Sequence, residues 1–529
     1  MLALAHTACA DVAQASTSGV PGASVDLLQS GGLAWFDWLI IAIYGASTIA
    51  LGWYYGRRQR STEEYFLGNG NMNSLLIGVS LFATLLSTIS YLSTPGEVIG
   101  KGPVYLAYML ALPIIFLVVG YVLLPVYMHQ RVTSAYELLE KRLGLSIRML
   151  GVAMFLALRL VWMSLLIYLA AKAMIVMMGV GENWIPSIVL VTGLVAVIYT
   201  SLGGLQAVVI TDLIQTILLF SGALLVLVMV TLDFGGFGWF PTHWQSNWDA
   251  QPFFSFDPKT RITVVSLVLA HITWYVGTAG GDQVAVQRFM ATHDARAARR
   301  AYATQLILGA VVTITLGLVG FALLGYFQTH PEAIPEGMNL TRNADKIFPH
   351  YIAYHLPVGV SGLVVAAMFA AAMSSIDSGV NSITAVVMTD LLDRFGWRPA
   401  TEKGHVLAAR SLAFGIGGTV IVGSMYMGHI PGNITAVTNK TVNLLTPHIF
   451  SLFVFALFIP FARPAAVWLG ILCGLASAVL IAFSGPIFGF DPQTGYDPVS
   501  FLWVGPVSLA VNLAVGTLGS LVISRVRKS

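Results

Sequence analysis

Residues 366–390 read AAMFAAAMSSIDSGVNSITAVVMTD, and the reading of this stretch decides the fold. It begins as helix fit for lipid and then sets Ser374, Ser375, Asp377, Ser378, Asn381, Ser382 and Thr384 into an apolar segment. Lipid offers a hydroxyl or a carboxylate no water, so polar groups at that depth face a bundle interior, a cavity or an ion. Ser374, Asp377, Ser378 and Asn381 recur at i, i+3, i+4 and i+7 and form one stripe of a helix. A stripe of hard oxygen ligands suits an alkali cation. Small serines also let helices approach closely, and this packing role is the competing explanation. The carboxylate within the stripe favours a function.

The whole chain has the same character. Its 529 residues are 57% hydrophobic and 10% charged, with a mean hydropathy of +0.79, outside the range of soluble domains. The fold class expected is an all-α polytopic membrane protein. Cys9 and Cys473 supply neither a disulfide framework nor a thiolate metal site. A net charge of +3 gives no footprint for nucleic acid. No obligate protein partner and no cofactor are evident; the surroundings required are a lipid bilayer.

Residues 1–35 lack Lys and Arg, hence the basic region of a signal peptide, and read as a flexible external tail. At the usual length of about 20 residues, spans are expected at 36–55, 73–93, 103–127, 148–178, 185–200, 204–232, 263–285, 303–327, 357–389, 405–427, 437–461, 464–486 and 500–523, about 13 in all. Of 27 Lys and Arg, 19 fall in the segments this scheme places inside and 5 in those placed outside. The positive-inside rule then puts the N-terminus outside and the C-terminus in the cytoplasm, in a cell membrane. Arg159, Lys172 and Lys440 remain within spans. The external loops, about 233–261 and 328–355, carry aromatic residues such as Trp239, Trp244 and Trp248 that suit an interfacial cap and show no chemistry.

Two spans read as broken. In one, Ser87-Thr88, Ser90, Ser93-Thr94 and Pro95-Gly96 interrupt an apolar helix; in the other, Gly277-Thr278-Ala279-Gly280-Gly281 does so midway. Either alone could be an ordinary kink. They stand five spans apart, and matched discontinuous helices mark a secondary transporter of two inverted repeats with its site near the midplane. Residues 36–72 then form an extra first span and inner loop, 73–232 and 263–461 the two five-span repeats, and 464–529 two extra spans with a basic tail.

The stretch 199–215, YTSLGGLQAVVITDLIQ, resembles a signature of the sodium:solute symporter family in its Gly-Gly and Ala-Val pairs, Thr211-Asp212 and Gln215. GGDQVAVQR, ending at Arg288, is similar to another of its motifs, and 366–390 to its sodium-site helix. The resemblance covers about residue 37 to at least 460. It implies a LeuT-type core of ten helices with one span before and two after. It also implies a sodium ion held by the carbonyls of Ala83, Leu86 and Ala371 and the hydroxyls of Ser374 and Ser375. Some members hold a second ion, and Asp212 and Ser378 match its ligands; Asp377 stands where those members have a hydroxyl. Transport is then expected to be driven by sodium and to respond to voltage.

Other classes fit less well. A channel needs a continuous polar path, whereas here the polar groups gather at two breaks and one stripe. The enzyme candidates His271, Asp282 and Glu97 lack catalytic spacing, and a transport-derived sensor would need a signalling domain after Ser529. The resemblance implies a family whose subfamilies carry sugars and polyols, proline, pantothenate, iodide or monocarboxylates on one scaffold, so fold does not choose the solute. The run Ser93–Glu97 resembles the branch that carries anions. Arg159 lies about 11 residues into its span, too deep to snorkel, and needs either a substrate carboxylate or an internal partner, Asp377 or Asp282. Ser87, Thr88, Thr278 and Arg159 are the candidate solute ligands.

Overall fold

An apolar chain without water to satisfy its amides must pair them internally, and a helix does so within each segment. The computed structural model of the protein, which describes residues 32–57, 61–67, 72–130, 134–429, 434–490 and 497–526, contains helices and no strand among them. Residues 1–31 of the expected tail, with Cys9, and Arg58, Arg60, Arg131, Arg527 and Lys528 of the topology count lie outside the described residues.

Eleven helical stretches among the described residues are long and apolar enough to cross a bilayer, and the bent pair Ser74–Leu85 and Thr88–Lys101 makes a twelfth. The sequence reading divides 185–232 into two spans. The stretch Glu182–Asp233 is 52 residues long, and its backbone leaves the helix at Gly204, with φ 58° and ψ −170°. At about 1.5 Å per residue it would otherwise reach roughly 78 Å, more than twice a bilayer core. A residue without a Cβ makes this turn at little cost.

The serine-rich stretch forms the helix Val360–Val386, and every residue from Val364 to Val386 is buried. Its apolar faces pack against neighbouring helices, and its polar stripe finds partners only inside the bundle. Trp35–Gly56, Leu145–Met178 and the long stretch ending at Asp233 pack around it. Its N-terminus is held by Asp37 of the first span, whose Oδ1 accepts the N–H groups of Gly359 (2.7 Å) and Gly362 (2.8 Å). A carboxylate there satisfies orphan donors and complements the helix dipole. The span that precedes the ten-helix core is thereby fastened to its central helix.

The first break falls at the start of the run read from the sequence, and the second one residue beyond its run of glycines. The first occurs at Leu86–Ser87, where Leu86 is extended (φ −82°, ψ 113°) and the flanking helices bend by 64°. Pro95 and Gly96 lie inside the following helix, Thr88–Lys101, because neighbouring helices allow a proline within a membrane helix. The second occurs at Asp282 (φ −95°, ψ 123°), and the glycines 277–281 stay helical. The Asp282 carboxylate accepts the N–H of Val284 at 2.9 Å and so starts the helix Gln283–Met290. The glycines serve packing instead: Gly280 and Gly281 lie against Phe450, with no room for a Cβ.

Candidate functional site

The first break and the serine helix meet face to face. Unwinding at Leu86 ends the helical ladder of Ser74–Leu85 and turns its last carbonyls toward the stripe. Ser374 Oγ donates to the Ala83 carbonyl at 2.8 Å and lies 3.2 Å from that of Ala371; Ser375 Oγ donates to the Thr84 carbonyl at 3.0 Å. Three of the five expected sodium ligands, Ala83, Ala371 and Ser374, thus meet directly, while Ser375 bonds to the carbonyl of Thr84, next to Ala83, and extended Leu86 lies three residues beyond Ala83.

One turn further along the stripe lies a second polar cluster. Ser378 Oγ and Thr84 Oγ1 are 2.8 Å apart, and Ser80 Oγ donates to Asp212 Oδ2 at 2.5 Å. Arg288 enters this cluster. Its Nε donates to Ser80 Oγ (2.8 Å), Nη2 to Ser378 Oγ (2.5 Å) and Nη1 to the Val284 carbonyl (3.2 Å), and Nη2 stands 3.6 Å from Asp212 Oδ2. The sequence count treats Arg288 as an inner-loop charge. In the structure it is 1% exposed, because Gln283–Met290 carries it back into the bundle. Asp377 accepts from the Tyr199 hydroxyl at 2.6 Å and from Ser378 Oγ at 3.1 Å.

Beside the break opens a cavity lined by Ser87, Ser90 and Thr94, by the rings of Tyr105, Tyr108, Trp162 and Trp274, and by the amides of Gln305, Asn439 and Asn443. Among the described residues, no Asp, Glu, Lys or Arg lines it. Two smaller cavities, both lined by Arg159 and Thr278, adjoin it; both share Leu85 with it, and one also shares Trp162 and Trp274. Arg159 pairs with both oxygens of Asp282, Nε to Oδ1 at 3.3 Å and Nη2 to Oδ2. The internal partner among the two alternatives is therefore Asp282, while Asp377 faces Tyr199. Thr88 turns to the serine helix, donating to the Met368 carbonyl at 3.3 Å.

Ion pairs close the bundle on either side of these cavities. At one end Arg261 pairs with Glu97 and with Asp249 (2.8 Å), while Trp248 Nε1 donates to the Ile99 carbonyl (3.3 Å). The loop expected to be only a cap thus latches the second half of the broken helix. At the other end Arg148 bridges Glu140 (2.5 Å) and Asp390 (2.6 Å), and Arg394 also pairs with Glu140 (2.6 Å). Hydrogen bonds from Arg394 and then Arg148 hold the Glu140 carboxyl down at about 2.

The sequence reading missed Ser80, Thr84, Asp37 and the role of Arg288. Ser80, Thr84 and Thr88 repeat at i, i+4 and i+8, so the spacing argument used for the serine helix would have found the first two.

A LeuT-type helical bundle with discontinuous helices meeting a polar stripe is the architecture of a secondary transporter. The model of the sodium:solute symporter family matches residues 65–474, and the chain belongs to that family. It is 28% identical over 452 residues to the sodium/sialic acid symporter NanT of Aliivibrio fischeri, covering 84% of this chain and 87% of that one. It is 25% identical over 476 residues to the sodium-coupled monocarboxylate transporter 1 of Xenopus laevis, covering 88% of this chain and 74% of that one. Among solved structures, a substrate-bound, outward-open Na+-coupled sialic acid symporter superposes with a TM-score of 0.76 over 92% of this chain and 98% of that one. At 24% identity that likeness shows the fold.

Proposed function

We propose that the protein is a sodium-coupled symporter that imports a small organic acid, such as a monocarboxylate, across the plasma membrane by alternating access. Its N-terminus is outside, its C-terminus is cytoplasmic, and its repeats are 73–232 and 263–461. The observation that carries the reading is the meeting of the Ser374 and Ser375 hydroxyls with the Ala83 and Thr84 carbonyls across the break. Such a cluster of uncharged oxygens can replace the hydration shell of an alkali cation and, by bridging the two halves, link ion binding to their relative motion. Sodium would be held by Ala83, Leu86, Ala371, Ser374 and Ser375.

The acid is argued from Arg159. Its guanidinium lines the cavities at the break and is fixed by a carboxylate, Asp282, in the two-pronged geometry that a substrate carboxylate could take over. Ser87 and Thr278 line the same region. Uptake of a labelled monocarboxylate into proteoliposomes should require sodium outside; equal uptake with choline would end the reading. In a double variant, Arg159→Gln with Asp282→Asn, neither charge is left alone. It should fold, keep its sodium response and lose acid uptake; unaltered acid affinity would remove the substrate role of Arg159. A neutral sugar or polyol is the second reading, favoured by the uncharged lining of the larger cavity, and competition of uptake by sugars against acids separates the two.

A further inference from the structure

His271, which the sequence offered only as an enzyme candidate without catalytic spacing, lies on the wall of the larger cavity and is 9% exposed. Its ring is held by three others. It stacks on Tyr108, with centroids 4.2 Å apart and 10° between the planes, and the Tyr105 and Tyr275 rings stand 6.1 and 6.4 Å away. Tyr108 is fixed in turn, its hydroxyl 2.7 Å from Thr313 Oγ1. His271 Nδ1 lies 2.9 Å from the Leu267 carbonyl. A carbonyl only accepts, so Nδ1 carries the proton, and in the neutral ring Nε2 is a bare acceptor. No hydrogen bond among the described residues engages Nε2. Two more polar atoms on the same wall, Thr438 Oγ1 and Asn443 Oδ1, also lack a partner.

We propose that His271 is a specificity-determining residue that accepts a hydrogen bond from the body of the solute, and that the acid carried is hydroxylated rather than an alkanoate; the inference rests on the acid-symport reading above. Polar atoms left unpaired once water is expelled oppose binding, so a solute that fits this wall must pair them. An alkyl chain cannot. The cavity volume is about 120 Å³, about ten times what one water requires, so a short alkanoate would leave most of it unfilled. Leu85, Trp162, Trp274 and Val442 line both this cavity and the smaller one that holds Arg159. Carboxylate and body are therefore read in adjoining spaces, the charge by the guanidinium and the hydroxyls by an uncharged wall. The lone pair of Nε2 repels a carboxylate, which fixes the direction in which the acid lies.

Gluconate and hexanoate test this, since they have the same number of carbons and only gluconate bears hydroxyls. Labelled gluconate should enter proteoliposomes with sodium, and unlabelled hexanoate should compete at least about tenfold more weakly than unlabelled gluconate. Hexanoate competing as well as gluconate, or entering with sodium where gluconate does not, overturns the inference and leaves the acid reading standing. Sodium-driven entry of glucose with neither acid overturns both. His271→Phe keeps a stacked ring and removes the acceptor; it should raise the half-saturating gluconate concentration about tenfold and leave half-saturating sodium unchanged. His271→Gln, which restores an acceptor, should recover part of the loss. A phenylalanine variant with wild-type gluconate affinity overturns the role of His271. If that variant does not fold, the wild-type preference for gluconate over hexanoate decides.

Discussion

Ser374 and Ser375 show how a small side chain can be read twice. As packing residues they could become alanine at little cost, since methyl and hydroxymethyl groups occupy similar space. As ion ligands they cannot. A hydroxyl bonded to a charged partner contributes about 1.5–3 kcal/mol, so Ser374→Ala or Ser375→Ala should raise the half-saturating sodium concentration roughly 10- to 150-fold. A sodium titration of uptake checks this, and an unchanged midpoint in both would leave packing as their role. The serines were legible because their helical spacing with Asp377 is visible in one segment. Arg288 was not. Its meaning depends on Asp212 and Ser80, 76 and 208 residues away in a count along the chain, and a hydropathy average assigns an arginine near a span end to the loop. Arg159 lies between these cases: its depth announced the need for a partner, and only the structure chose Asp282.

Helix ends matter more here than helix interiors. Asp37 joins the first span to the start of Val360–Val386, so Asp37→Ala should lower stability by about 1–2 kcal/mol, as the loss of an N-cap does. Thermal unfolding in detergent would show a reduced midpoint; a midpoint equal to wild type would mean that water replaces the cap. Asp282 both caps Gln283–Met290 and balances Arg159. Removing one partner of a buried pair typically costs about 3–5 kcal/mol, so Asp282→Ala should express poorly unless Arg159 is also changed. The existence and order of these helices followed from hydropathy, and both broken spans were found. The first break point lay at the start of a run read too long and the second one residue past its glycines, because glycine and proline mark where a chain can bend, while the bend is placed by capping and packing. Asp282 beside Val284, and Phe450 against Gly280 and Gly281, are contacts that no local pattern contains.

Over the whole molecule, ion pairs hold the two ends of the pathway, and the pair network of Arg148, Glu140, Asp390 and Arg394 lies on the proposed cytoplasmic side. Glu140→Gln removes the carboxylate shared by two arginines and should favour inward opening, measured as faster alkylation of a cysteine placed at Thr84 from the cytoplasmic face. No change in labelling rate would show that the network does not gate. Its pH behaviour has a definite sign. The folded-state pKa of Glu140 is depressed from 4.5 to about 2, so its contribution is complete above 4.5 and is lost as pH falls through about 2. Any change in transport between pH 6 and 8 must then arise elsewhere. The number of sodium ions carried with each solute would fix the energy available for accumulation. If one sodium enters with one carboxylate, each turnover moves no net charge, contrary to the voltage response expected from the sequence. A tenfold sodium gradient stores about 1.4 kcal/mol, enough to hold the acid about tenfold above its outside level. A second sodium would multiply that ceiling by another ten, and by roughly fifty more through the ~2.3 kcal/mol of a 100 mV potential. A one-sodium carrier of a carboxylate would thus concentrate little and keep working when the membrane depolarises.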